Sequence, residues 1–167
     1  MRILFLLFLS LIPGLLSAQF VTATMEIDGL TCSMCSLGVE RSIKKLKFIE
    51  RVHVDLNTNA ASIEFKPNSN VAIKELIKSV FDAGFSVRTL SADFNFQESS
   101  KENYFMSDNS TFIFLDSPKA GTSKGVKTIK FVEKRFTESE SYKKYKPVID
   151  KTLSRVTIND SYYFVLI

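Results

Sequence analysis

Ile27-Asp28-Gly29-Leu30-Thr31-Cys32-Ser33-Met34-Cys35 joins two different hydrophobic periods and holds both cysteines of the chain. Upstream, Val21, Ala23, Met25 and Ile27 alternate with Thr22, Thr24, Glu26 and Asp28, the period of two of a half-buried strand. Gly29 ends that pattern. Downstream, Cys35, Val39, Ile43 and Leu46 recur every three or four residues, with Glu40, Arg41, Lys44, Lys45 and Lys47 on other faces, as in an amphipathic helix. The cysteines therefore stand at a strand-to-helix joint.

Beyond the helix, Val52, Val54 and Leu56 alternate with Arg51, His53 and Asp55. Asn57-Thr58-Asn59 is turn chemistry, and Ala61, Ile63 and Phe65 alternate again, which predicts a hairpin. A loop at 66–70 leads to a second helical stripe of Ile73, Leu76, Ile77, Val80 and Phe81, closed by Gly84 at the position of a helix C-cap. Phe85, Val87 and Thr89 predict a last short strand. The order strand, helix, strand, strand, helix, strand is the βαββαβ arrangement of a ferredoxin-like α+β sandwich, with two helices on one face of an antiparallel sheet. The expected core is Met25, Ile27, Val39, Ile43, Leu46, Val52, Val54, Ile63, Phe65, Leu76, Ile77, Val80 and Phe81.

From about Met25 to Val87 the chain resembles the heavy-metal-associated domain, the module of copper chaperones, copper-transporting ATPases and the periplasmic mercury-binding protein. The resemblance rests on Gly29-Leu30-Thr31-Cys32-Ser33-Met34-Cys35, on Val39 and Ile43, on Val52-His53-Val54-Asp55-Leu56-Asn57 with Ala61, and on Ala83-Gly84-Phe85. Leu30 stands where the family usually has Met, generally a core residue there. Phe48-Ile49 replaces the usual Gly-Val pair. The resemblance implies that Phe85 lies beside a metal loop, with a plain core aromatic as the alternative.

Cys32 and Cys35 are the candidate metal ligands. Thiolates bind Cu(I) and Hg(II) in preference to oxygen donors. Cys35 falls in the first helical turn, where free N–H groups and the positive end of the helix dipole favour a thiolate. Two sulfurs suit the low coordination of Cu(I) or Hg(II) and are too few for a closed structural zinc site. A redox dithiol is an alternative. No Trp and no Cys-Gly-Pro-Cys or Cys-Pro-x-Cys variant accompanies the pair. Met34 reads as an exposed loop residue or a weak third ligand. His53, the sole histidine, reads as a surface residue, and Lys44, Lys45 and Lys47 as a solvated helix face or a steering patch for an acidic partner.

The first 18 residues read as a signal peptide: Arg2, an apolar run from Ile3 to Ile12, Pro13-Gly14, and a cleavage site at Leu16-Ser17-Ala18. The run is too short to span a bilayer, so the expected mature chain begins at Gln19, is exported to the periplasm or secreted, and does not itself span a membrane. Such a compartment is oxidising. A bond between cysteines this close would constrain little of the unfolded chain, so stability is a poor reason for the pair. Net charge is +4, with 9 basic against 8 acidic residues in 19–90 and 12 against 10 in 91–167. Neither half is basic enough to argue for nucleic acid or an anionic membrane.

Residues 91–167 read as a second, β-rich α+β domain without cysteine or histidine. Ala92, Phe94 and Phe96 alternate; strands are expected near Tyr104–Met106, Thr111–Leu115, Val126–Val132 and Tyr162–Ile167. Thr137 and Glu140 form a capping-box pair before a helix with the stripe Tyr142, Tyr145, Ile149 and Leu153, which Pro147 should kink or interrupt. An OB-like barrel and an extension of the first sheet are both open. The sum of these readings is a non-enzymatic carrier that binds one Cu(I) through Cys32 and Cys35. It would exchange the ion with an envelope protein or a membrane metal transporter. Mercuric-ion scavenging and thiol–disulfide exchange are the alternatives.

Overall fold

The computed structural model describes residues 19–96, 104–107, 110–116, 124–136, 138, 140–153 and 161–167. Residues 1–18, expected as a signal peptide, Thr137 of the expected capping box, and residues 97–103 and 117–123 lie outside the described residues. The first half contains β1 (Gln19–Asp28), α1 (Ser33–Lys44), β2 (Ile49–Asp55), β3 (Ala60–Phe65), α2 (Ile73–Asp82) and β4 (Ser86–Phe96). The second half adds β5 (Tyr104–Ser107), β6 (Ser110–Phe114), β7 (Gly125–Phe131), α3 (Glu140–Leu153) and β8 (Ser161–Leu166).

The strands β2-β3-β1-β4 pair antiparallel in that order, which is the ferredoxin-like arrangement expected of the first half. Alternation decides the buried face. Met25, Ile27, Val54, Ile63 and Phe65 point to the helices, where Val39 and Ile43 of α1 and Leu76, Ile77 and Val80 of α2 meet them. Each such side chain, fully buried, contributes about 1.5–3 kcal/mol. Leu46 and Val52 are only half-buried, and Phe81, expected in this core, is 37% exposed. Leu76, Ile77 and Val80 already fill the inward stripe of α2, which leaves Phe81 at its margin.

Two bulges alter the expected strand pattern. The register of β1 against β4 shifts between Phe20 and Thr22, so Phe20 rather than Val21 shares the inner face with Ala23; Phe20 is 3% exposed and Val21 40%. A second shift at Glu26/Ile27 places an extra residue, Arg88, in β4. Val87 and Leu90 then face the core together, and the same face continues through Ala92, Phe94 and Phe96. The short last strand expected from Phe85, Val87 and Thr89 is therefore an eleven-residue strand. The odd spacing at the bulge breaks the alternation in the sequence and makes one strand read as two.

The outer edge of β4 carries β7, and β8, β6 and β5 follow, giving among the described residues one eight-stranded sheet whose parallel pair is β6 and β8. The second half thus extends the first sheet. The sheet curls strongly: the Phe105 ring on β5 lies 4.5 Å from that of Phe94 on β4, four positions away in strand order. Among the described residues no backbone pairing joins β5 back to β4 to close a barrel. Phe20, Phe94, Phe96, Phe112, Phe114, Phe131, Tyr162 and Phe164 continue the core beneath α1 and α2 into the second half. The alternate residues Ile113, Leu115, Tyr163 and Val165 face the opposite side and are covered by Ile149, Tyr142 and Tyr145 of α3.

α3 runs through Pro147 without the expected interruption. Pro147 and Lys143, four residues earlier, are both exposed, so water can satisfy the carbonyl that proline leaves without a donor. Across the two halves, the hydroxyls of Thr22 and Thr128 donate to opposite oxygens of Asp93, at 2.7 and 2.6 Å, stitching β1, β4 and β7 together. At the β2 edge, Glu40 of α1 accepts the Val54 N–H at 2.7 Å and blunts an otherwise open strand edge. Among the described residues, no helix is long and apolar enough to cross a membrane.

Candidate metal centre

Gly29 turns the chain out of β1 with φ +89°, a conformation that a side chain disfavours. A Cβ at that position would lie 3.6 Å from Cδ1 of Phe85, so the aromatic ring packs at the base of the cysteine loop. Leu30 is buried at 5% exposure, in the core role expected of it. Past Thr31 the chain reaches Cys32, whose extended backbone (φ −151°, ψ 158°) makes it the N-cap of α1.

The cap orders both sulfurs. The Cys32 carbonyl accepts the N–H groups of Cys35 and Ser36 at 3.0 and 3.2 Å. The Cys32 Sγ accepts the Cys35 N–H at 3.3 Å, in the place where Ser or Asp usually caps a helix. Cys32 Sγ and Cys35 Sγ stand 2.6 Å apart as free thiols. Cys32 is exposed, whereas Cys35 is half-buried against the core. The Cys35 thiol, then the Cys35 N–H, and less strongly the Met34 N–H hold the Cys32 thiol below its ordinary pKa, against a small opposing effect of desolvation. The first turn of α1 carries no acidic residue to repel a thiolate.

Cys32 and Cys35 are thus brought together. Met34 is 72% exposed and belongs to the first turn of α1 rather than to the loop. His53 is 79% exposed on β2, its Nδ1 3.4 Å from Glu40. Lys44, Lys45 and Lys47 are exposed. Among the described residues no group of three or more His, Cys, Asp or Glu gathers around one point, so this is an open two-sulfur arrangement.

Residues 24–86 match the family model of the heavy-metal-associated domain. Over 64 residues the chain is 31% identical to the mercuric transport protein periplasmic component of Serratia marcescens, covering 38% of this chain and 69% of that protein. The chain belongs to the heavy-metal-associated domain family. It is also 34% identical over 67 residues to a copper-transporting ATPase of Helicobacter pylori, 40% of this chain but only 9% of the ATPase. The solved structure of oxidized MerP from Ralstonia metallidurans CH34 is 31% identical, with 43% of this chain and 99% of that one covered and a TM-score of 0.36. The heavy-metal-associated segment runs from β1 to the start of β4 and includes the cysteine loop, both helices of the first half and Phe85. One feature of the site had no signal in the sequence: the pairing of Arg88 with Asp28 at the loop's base, which depends on the bulge.

Proposed function

We propose that this protein carries one soft metal ion, Cu(I), between the thiolates of Cys32 and Cys35 and passes it on by ligand exchange. The observation that carries this reading is the convergence of both sulfurs at the exposed N-terminus of α1 within a heavy-metal-associated domain. Two soft donors that, among the described residues, gather with no carboxylate or imidazole favour a soft ion. An open dithiolate leaves room for a third thiolate from an acceptor. That thiolate bonds to the ion while one Cys–metal bond breaks, and repetition transfers the ion with no net redox change. Cys32, the more exposed sulfur, is the one that an acceptor reaches first.

The partner in this reading is an envelope protein or a membrane metal transporter. The leader at 1–18 would deliver the chain outside the cytoplasm, and residues 91–167 would serve partner recognition. No catalytic role is assigned. A second reading, mercuric-ion scavenging through the same two sulfurs, is favoured by the likeness to the Serratia mercuric transport component. The test is an anaerobic Cu(I) titration of the reduced protein against bicinchoninate, beside the Cys32→Ser/Cys35→Ser variant, repeated with Hg(II) and a thiol competitor. One Cu(I) equivalent, lost in the variant, is expected. Cu(I) binding no tighter than in the variant would end the copper reading, and tight Hg(II) binding would then select the second.

A further inference from the structure

The second bulge between β1 and β4 lies next to the cysteine loop. Glu26 pairs with Thr89 and Ile27 with Val87, so Arg88 has no partner position on β1. A bulged residue escapes the alternation that assigns its neighbours to faces, and bulges are a common means of re-aiming a side chain beside a functional site. Arg88 reaches Asp28: its Nε donates to Oδ1 at 2.7 Å, and its Nη2 contacts the same oxygen. Asp28 is the last residue of β1, and only Gly29, Leu30 and Thr31 separate it from Cys32.

The free sulfurs are 2.6 Å apart. A near-linear S–metal–S unit holds its sulfurs on opposite sides of the ion, farther apart than they stand here, so one sulfur must move outward to admit an ion. Cys35 is fixed in α1 and packed on the core. Cys32 is the exposed partner, at the end of the short loop that leaves β1. Leu30 pins the middle of that loop, and the Arg88–Asp28 pair fixes its root. Arg88 also faces the second half of the chain. With Lys130, Glu133, Glu138 and Tyr142 it lines a narrow cleft, and Glu138 is itself held 3.4 Å from Lys130.

We propose that Arg88, acting through Asp28, is a positioning residue for the cysteine loop, and that Glu138 of the second half acts on the metal site through Arg88. This rests on the metal-carrying reading above and gives the second half a direct route to the site. The pair is part-exposed, 45% for Arg88 and 31% for Asp28, so its removal takes little folding stability. The effect belongs in metal affinity, because the pair holds the root of the loop that carries Cys32.

The experiment compares anaerobic Cu(I) affinity against bicinchoninate, and the thermal midpoint, for the full chain and for Arg88→Ala, the charge-swapped Asp28→Arg/Arg88→Asp pair, and Glu138→Gln. Arg88→Ala is expected to weaken Cu(I) binding several-fold with the midpoint nearly unchanged. The swapped pair should recover most of that loss, which a general packing role would not produce. Glu138→Gln should weaken binding by a smaller factor. Should Arg88→Ala fail to fold, Arg88→Gln, which keeps the length, takes its place. Wild-type affinity in the Arg88 variant, or a swapped pair no better than Arg88→Ala, overturns the positioning role. Wild-type affinity in Glu138→Gln overturns the link to the second half. A wild-type chain that holds no Cu(I) overturns the metal-carrying reading itself, and this proposal with it.

Discussion

Cys32 caps the helix that presents Cys35, accepting the Cys35 N–H on its sulfur at 3.3 Å while its own carbonyl accepts the same group at 3.0 Å. One residue therefore holds a structural role and a chemical one, and the two can be separated. Serine is a better cap than cysteine and offers no soft ligand. Cys32→Ser is expected to keep or raise the urea midpoint while removing Cu(I) binding. Cys32→Ala should lose binding and also about 1 kcal/mol of stability. A midpoint for Cys32→Ala equal to that of wild type would show that the sulfur contributes nothing as a cap.

The joint was legible in the sequence because its two periods are clean on either side of Gly29 and because Cys35, Val39 and Ile43 fall on one expected helix, with Cys32 just before it. Long-range consequences of the bulges were not. Nothing local distinguishes Val21, which turns outward, from Phe20, which fills the core, since both are apolar and adjacent. Arg88 reads as an ordinary polar strand residue until its displaced register is known. The same bulge hid the continuity of β4, and with it the joining of both halves into one sheet. The parallel pairing of β6 with β8 is equally non-local, because it depends on a strand more than forty residues away in sequence.

That continuity has a measurable consequence. Phe112 sits in the second half, 1% exposed, yet its ring lies 5.5 Å from Phe20 of β1 and 4.9 Å from Phe105. Phe112→Ala is expected to cost about 3–5 kcal/mol. The loss should appear in a single cooperative unfolding transition that lowers protection of first-half amides as well. Hydrogen exchange read by mass spectrometry distinguishes the outcomes: two transitions, with residues 24–65 unaffected, would mean that the halves fold independently.

Gly29 tests the root of the loop by another route. Its φ of +89° disfavours any side chain, whereas the 3.6 Å to Phe85 is ordinary contact, so Gly29→Ala is strained without being crowded. The expected cost is about 1–2 kcal/mol if the backbone keeps its conformation. A backbone that relaxes instead would carry Cys32 away from Cys35 and weaken Cu(I) binding with a smaller loss of stability. Urea unfolding and the Cu(I) competition, run on the same variant, separate these outcomes, and a variant unchanged in both would refute the assigned conformation.

Glu133 gives the fold a pH dependence of its own. Burial raises its carboxyl pKa, and Arg135, 3.9 Å away, offsets this only in part. Because the folded-state value lies above the unfolded one, the folded chain binds the proton more tightly, and stability falls as pH rises from the ordinary carboxylate range through the raised value. Below that window the residue is neutral in both states and imposes no penalty. Glu133→Gln removes the charge and retains the shape. Its urea midpoint should match wild type at a pH near the ordinary carboxyl pKa of about 4 and exceed it at neutral pH. The difference between the two proteins isolates Glu133 from the other titrating groups. A variant less stable than wild type at neutral pH would show that the Arg135 pair outweighs the cost of burial.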